Sequence, residues 1–253
     1  MSLRRTIQTW DRLGKTQPLW AILNHKHKKD AAWETDEFFR TGEEEIAHVM
    51  EYFDSRGVRI KRSRALDFGC GAGRLSRALA HSFKRVIGVD AAPSMIALAQ
   101  RLNRGIPACR FLLAPNGSLS LLQSHYFDFI YSSITLQHME PRYARRYLKE
   151  FFRILSPGGT IAFQLPSERI AEVRTRRMLP RIKDALKRLV PLPLLQRYHQ
   201  LRHGRDAFIE MYGTPREEVI GLLGRCGGSI IGVEENDDAG DDWVSFRYYA
   251  LKD

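Results

Sequence analysis

Cysteine is scarce in this chain: Cys70, Cys109 and Cys226 are all there is in 253 residues. Their odd number, with no Cys-x-x-Cys pair, excludes a disulfide framework and a cysteine zinc site, so reduced, mostly buried small residues are expected. No run approaches the roughly 18 apolar residues that a membrane span needs, and the N-terminus carries charges and tryptophans where a secretory leader has its apolar stretch. A cytoplasmic protein is expected. Acids are in deficit, 29 against 40 Lys and Arg, leaving a net charge of +11. That excess admits nucleic acid, a membrane surface or an anionic substrate as partner. A hydrophobic fraction of 43% is ordinary for a globular chain of this length, and one domain with additions is expected rather than two.

What is present is organised around Ala65 to Ala80. A short apolar strand turns through glycines at alternate positions, Gly69, Gly71 and Gly73, and becomes a helix with Leu75, Ala78 and Leu79 on one face. Strand, glycine turn and helix make a nucleotide site, because glycines let a ligand approach the backbone and a helix start offers N–H groups. Dinucleotide sites use Gly-x-Gly-x-x-Gly. Here Arg74 replaces that third glycine, and an acid, Asp67, precedes the first one. A carboxylate there suits a ligand with an ammonium group better than one with a pyrophosphate, which disfavours a NAD enzyme. A second apolar strand, Arg85 to Asp90, ends in a carboxylate about 20 residues past the glycines, where a ribose hydroxyl pair is gripped. Taken singly, a glycine turn is often only a turn and such an Asp only a helix cap; the order and spacing together favour the nucleotide.

These residues resemble motif I of the class I S-adenosylmethionine (SAM) dependent methyltransferases. Phe-Asp-Phe-Ile-Tyr-Ser (127–132), Leu-Gln-His (136–138) and Ser-Pro-Gly-Gly (156–159) resemble the later motifs of that family, so the resemblance runs from about 65 to 165. It implies an α/β, Rossmann-like, seven-stranded and mostly parallel sheet with an antiparallel last strand and helices on both faces. It also implies SAM as cofactor. Asp67 and the backbone of Gly69 and Gly71 then hold the methionyl part, with Gly73 completing the turn and Arg74 covering the methionyl carboxylate. Asp90 takes the ribose, Asn116 the adenine, and Ser133 stands beside the cofactor at the end of strand four. Asn116-Gly117 also reads as a plain turn, with Ser118 as a helix cap. His138 is the candidate general base for a hydroxyl acceptor, against a role in capping or packing the helix that starts at Pro141. Tyr212 is a second catalytic candidate.

Residues 1–40, with Trp10, Trp20 and Trp33, are expected as a helical lid over that site, and 41–253 as the methyltransferase domain. Lys26, Lys28 and Lys29 with His25 and His27 read as a solvated loop. A helix is expected from a Thr41–Glu44 capping box to Gly57, and others from Pro93, Pro141 and a Thr214 cap. Further strands are expected at Cys109–Ala114, Phe127–Ser133, Thr160–Leu165, Ser229–Glu235 and Trp243–Leu251. An insertion at about 166–210 carries a helical pattern from Ile182 to Val190. Between 166 and 205 it holds eleven Lys or Arg against three acids, which is most of the chain's positive excess. It reads as a substrate cover, a membrane-surface or nucleic-acid contact, or a solvated basic face. The acidic loop Asn236 to Asp242 is a candidate partner for it. The function expected is methyl transfer from SAM to a small-molecule acceptor, with oxygen the favoured atom and an anionic or lipid-linked acceptor as a refinement. The alternative is an RNA methyltransferase that uses the basic insertion.

Overall fold

The computed structural model describes residues 3–23, 33–171, 173 and 210–253, apart from the side chain of Asn116. The Lys26–Lys29 loop and the Ile182–Val190 helix lie outside these residues. In chain order the elements are α1 (Leu3–Thr16), α2 (Pro18–Ile22), α3 (Thr35–Asp54), β1 (Arg64–Phe68), α4 (Arg74–Ala80), β2 (Arg85–Asp90), α5 (Pro93–Leu102), β3 (Cys109–Leu113), β4 (Phe127–Ser132), α6 (Pro141–Ile154), β5 (Leu155–Arg169), α7 (Arg216–Arg225), β6 (Gly228–Asn236) and β7 (Trp243–Lys252).

The seven strands form one sheet in the order β3-β2-β1-β4-β5-β7-β6. The pairings from β3 through to β5 are parallel, while β7 runs antiparallel between β5 and β6. Strand alternation divides the core between the two faces. Leu66, Ile130, Ile161 and Tyr248 meet α6 and α7 on one side. Their neighbours Ala65, Phe129, Ala162 and Tyr249 meet α3 and α4 on the other. With both faces covered, the parallel strands read as continuous apolar runs. That is why they were legible.

Three element ends differ from expectation. Thr41 does not start a helix: its hydroxyl bonds to Phe38 O inside α3, which begins at Thr35, so the 40/41 division falls within a helix. The capping-box rule loses because Phe38 and Phe39 are fully buried anchors that extend the helix backwards. Thr214 does not cap α7; its N–H bonds to Pro166 O, and Pro215 occupies the cap position. Strand β5 begins at Leu155 and carries the Ser156–Gly159 turn within it, with Gly158 at φ +69° and a register shift against β4.

A buried ionic hub ties α3 to the sheet and to α4. Glu45 accepts from Tyr131 (2.6 Å) and from Arg74 (2.7 Å), and lies 3.7 Å from Arg247. Asp238 of the acidic loop pairs with Arg247 of β7 at 2.7 Å, an engagement among the described residues. Burial opposes the charge on Glu45, but the two guanidinium groups more than offset it and hold the carboxyl below its usual range. Removing one member of such a set strands the others uncompensated. Glu45→Gln is therefore expected to cost about 3–5 kcal/mol in urea unfolding. A loss under about 1 kcal/mol would show that the arginines are satisfied without it.

Candidate active site

The glycine turn after β1 is a backbone conformation that side chains disfavour. Gly69, Gly71 and Gly73 have φ of +77°, +50° and +82°, and each lacks a Cβ where another group sits. An added Cβ would lie 2.1 Å from Thr135 Oγ1 at Gly69, 2.8 Å from Ile22 at Gly71, and 2.5 Å from Asn103 at Gly73. Four N–H groups of the turn are spent inside the protein. Gly69 and Cys70 donate to Val89 O, Gly73 to Cys70 O, and Gly71 to Asp90 Oδ2. The turn thus presents less of a donor nest than its sequence suggests, and its backbone suits a ligand cation better than a pyrophosphate.

Above the turn lies a cavity of about 940 Å³ including its mouth. Its floor is Phe68 to Gly71 with Asp90 to Ala92, one wall is Ser133 to Thr135 with His138, and Gly117 and Tyr147 lie at the far end. Helix α1 forms the roof through Leu3, Thr6, Ile7 and Trp10, and Ile22 of α2 closes over Gly71. The roof is fastened by Asp11, which accepts from Ser94 N through Oδ1 (2.9 Å) and from Ser94 Oγ through its carbonyl (2.8 Å). Asp90 holds Gly71 N at 3.0 Å and Ala92 N at 2.8 Å, which leaves further lone pairs facing the cavity. Ser133 Oγ is buried without a partner. A polar atom orphaned on a cavity wall fits a ligand with polar groups of its own.

Residues 66–163 match the family described as Methyltransferase domain, and the strand order places that match over β1 to β5. Residues 66–163 are thus a methyltransferase domain, set in a fold shared with SAM-dependent methyltransferases. Trans-aconitate 2-methyltransferase of Variovorax paradoxus is 29% identical over 143 residues, 56% of this chain and 52% of that protein. The same-named protein of Methylobacterium radiotolerans is 34% identical over 116 residues, 45% of this chain and 42% of that one. These matches span about half of the relatives' length. Among solved structures, magnesium protoporphyrin IX methyltransferase from Synechocystis PCC 6803 with bound SAH superposes with a TM-score of 0.64 at 15% identity, covering 100% of both chains. At that identity it speaks for the fold.

Within this methyltransferase domain the expected residues separate into two groups. Gly69, Gly71, Arg74, Asp90, Ser133 and His138 line one cavity. Asn116 lies beside it, in a 3-10 turn spanning Pro115–Gly117; Ser118 bonds to Ser120 rather than capping a helix. Gly73, Asp67 and Tyr212 are not among the lining residues. Arg74 turns its guanidinium to Glu45 and Thr41. The Tyr212 hydroxyl donates to Glu210 Oε2, and burial together with that carboxylate pushes its phenol further up. Burial takes His138 down to about 4, so its ring is neutral near pH 7. Its nitrogens lie 3.3 Å from Gln137 Nε2 and 3.3 Å from Glu210 O, and Trp10 of the roof packs on it at 5.2 Å between centroids.

Sequence reasoning missed Ile134 and Gln164. Ile134 follows β4 with φ +52°, rare for a β-branched residue, and its N–H bonds to Gln164 Oε1. A glutamine inside the apolar run Ile-Ala-Phe-Gln-Leu is the signal that was available.

Asp67 is fully buried; Ser76 donates to its Oδ2 at 2.6 Å, and Oδ1 has no partner. Burial raises this carboxyl to about 7. The folded state then keeps a proton that the unfolded chain releases, so the Asp67 contribution to stability is present below the ordinary aspartate value and lost as pH rises toward 7. Asp67→Asn, neutral throughout, should gain in urea midpoint relative to wild type between pH of about 4 and about 7.5. A difference that stays constant with pH would show an aspartate that titrates normally.

Proposed function

We propose that the cavity binds SAM and that the chain transfers its methyl group to an oxygen of a small anionic acceptor. The observation that carries this reading is the cavity itself. A left-handed glycine turn, an aspartate at the end of the next strand and an orphaned serine hydroxyl face one space roofed by an aromatic helix. SAM supplies a methyl group already activated on a sulfonium, so the protein's task is to position and to exclude water. Asp90 accepts the ribose hydroxyls, and Asn116 reads the adenine amino edge. The turn at Gly69 and Gly71, with Asp67 behind it, offers oxygen rather than N–H to the methionyl ammonium. Ser133 Oγ finds there the partner it otherwise lacks. Trp10 and Ile22 cover the floor and keep water from the transferring carbon.

A carboxylate oxygen is the acceptor that asks least of these residues. It is ionised at neutral pH and needs no general base, whereas the His138 nitrogens are already engaged. The name of the trans-aconitate 2-methyltransferases and the basic stretch between 166 and 205 support the same class.

Calorimetric titration tests the cofactor: SAM is expected to bind and NAD not to. Asp90→Ala, which loses charged hydrogen bonds, should weaken SAM about 10- to 100-fold; a twofold change would remove Asp90 from the site. The acceptor class is tested with methyl-labelled SAM in a cell extract split into small-molecule, lipid, protein and nucleic-acid fractions. Label in acidic small molecules is the expected result. Nuclease-sensitive or lipid-extracted label would overturn the small-molecule acceptor while leaving the methyltransferase in place.

A further inference from the structure

Behind the cavity wall runs a chain of buried polar groups. Gln164 and Ser245 are fully buried, and Gln137 and His138 nearly so. Ile134 N–H donates to Gln164 Oε1 at 3.1 Å. Gln164 Nε2 donates to Gln137 Oε1 at 2.9 Å and to Ser245 Oγ at 2.8 Å. Gln137 Nε2 lies 3.3 Å from His138 Nε2, and His138 Nδ1 lies 3.3 Å from Glu210 O.

The direction of this chain is not free, because both ends are backbone. A peptide N–H only donates, so Ile134 fixes Gln164 Oε1 as acceptor and turns its NH₂ toward Gln137. Gln137 must then accept with Oε1 and donate with Nε2. His138 Nε2 is left to accept, which puts the ring proton on Nδ1, where the Glu210 carbonyl can only accept it. The two ends agree without any frustrated contact. Two neighbouring backbone bonds, Tyr212 N to Gln137 O (2.8 Å) and Thr214 N to Pro166 O (2.9 Å), fasten the same segment to the 3-10 turn after β4 and to β5.

We propose that Gln164 and Gln137 are positioning residues that hold His138 as the neutral Nδ1–H tautomer, so that the imidazole acts as a fixed wall of the acceptor chamber and an anchor for residues 210–214 rather than as a proton acceptor. Its Nε2 lone pair is spent on Gln137, and its ring is clamped by Trp10. The strained Ile134 backbone belongs to the same device: its left-handed φ turns the N–H that orients the relay. The acceptor-chamber part rests on the methyltransferase reading; the tautomer does not.

The test is the imidazole nitrogen spectrum of full-length protein labelled with 15N-histidine and without ligand, His138 being assigned among the eight histidines by its loss in His138→Asn. Wild type should show Nδ1 protonated and Nε2 unprotonated near pH 7. Gln164→Glu keeps the shape and still accepts from Ile134, but cannot donate to Gln137. Gln137 must then flip its amide, and His138 Nε2 should become protonated. Gln137→Glu removes the donor to Nε2 directly and should do the same, so one variant suffices if the other fails to fold. SAM affinity of either variant should stay within about twofold of wild type, since neither side chain lines the cavity. A wild-type His138 protonated on Nε2, or variants that leave its tautomer unchanged, would overturn the proposal. Absence of SAM binding would defeat the functional reading and leave the tautomer result standing.

Discussion

The three glycines between β1 and α4 are the constraint on which the rest of the site depends. Left-handed φ alone would favour glycine there, but the vacated Cβ positions matter more. Thr135 of the loop after β4 stands where a Gly69 Cβ would be, Ile22 of α2 presses over Gly71, and Asn103 and Phe111 close on Gly73. The floor, wall and roof of the cavity are therefore drawn to one turn by the same absence. An alanine at Gly69 would distort the backbone and also push away the loop that carries Ser133 and His138.

Charge is handled by a second rule. Arg74, one residue past the turn, would leave an uncompensated cation under the cavity if it stood alone. Glu45 answers it from α3, and Tyr131, Arg247 and Asp238 extend the compensation across the sheet to β7. The motif arginine thereby becomes a brace between α3 and α4. What the cavity shows a ligand is then the Asp90 carboxylate, the neutral His138 ring and mostly apolar side chains. That balance favours a cationic sulfonium and ammonium over a pyrophosphate, the distinction that the spacing of the glycines first suggested.

The fold was legible because buried parallel strands are apolar throughout and end at glycine, proline or aspartate. The bounds of β2 and the starts of α5, α6 and β7 coincide with those signals. Misreadings arose where a local rule met a tertiary partner. The Thr41–Glu44 box is a sound capping signal that Phe38 and Phe39 overrode by packing into the core. The free N–H groups expected at the turn were taken by Val89 O and Asp90, the latter 19 residues away. Gln164 was passed over because its partners Gln137 and Ser245 lie 27 and 81 residues distant. Hydrogen-bond direction across such gaps leaves no trace in a linear pattern.

His138 shows how the two kinds of reading combine. Its position after β4 and its titration near neutrality made it the natural candidate for a base, and the structure does place it on the cavity wall. Burial then takes it to about 4, and the amide relay occupies the lone pair that a base would use. A base of that strength, already hydrogen-bonded, has little driving force to remove a hydroxyl proton. For the proposed acceptor, which arrives already ionised, a rigid neutral ring is an asset: it shapes the chamber, and it adds no positive charge to repel the sulfonium. On the proposed reading, the basic residues that would attract such an acceptor are those between 166 and 205 in sequence, and the wall against which it would be aligned includes one neutral imidazole, held from behind by uncharged amides. That reading separates attraction from alignment, with charge used for the first and hydrogen-bond direction for the second.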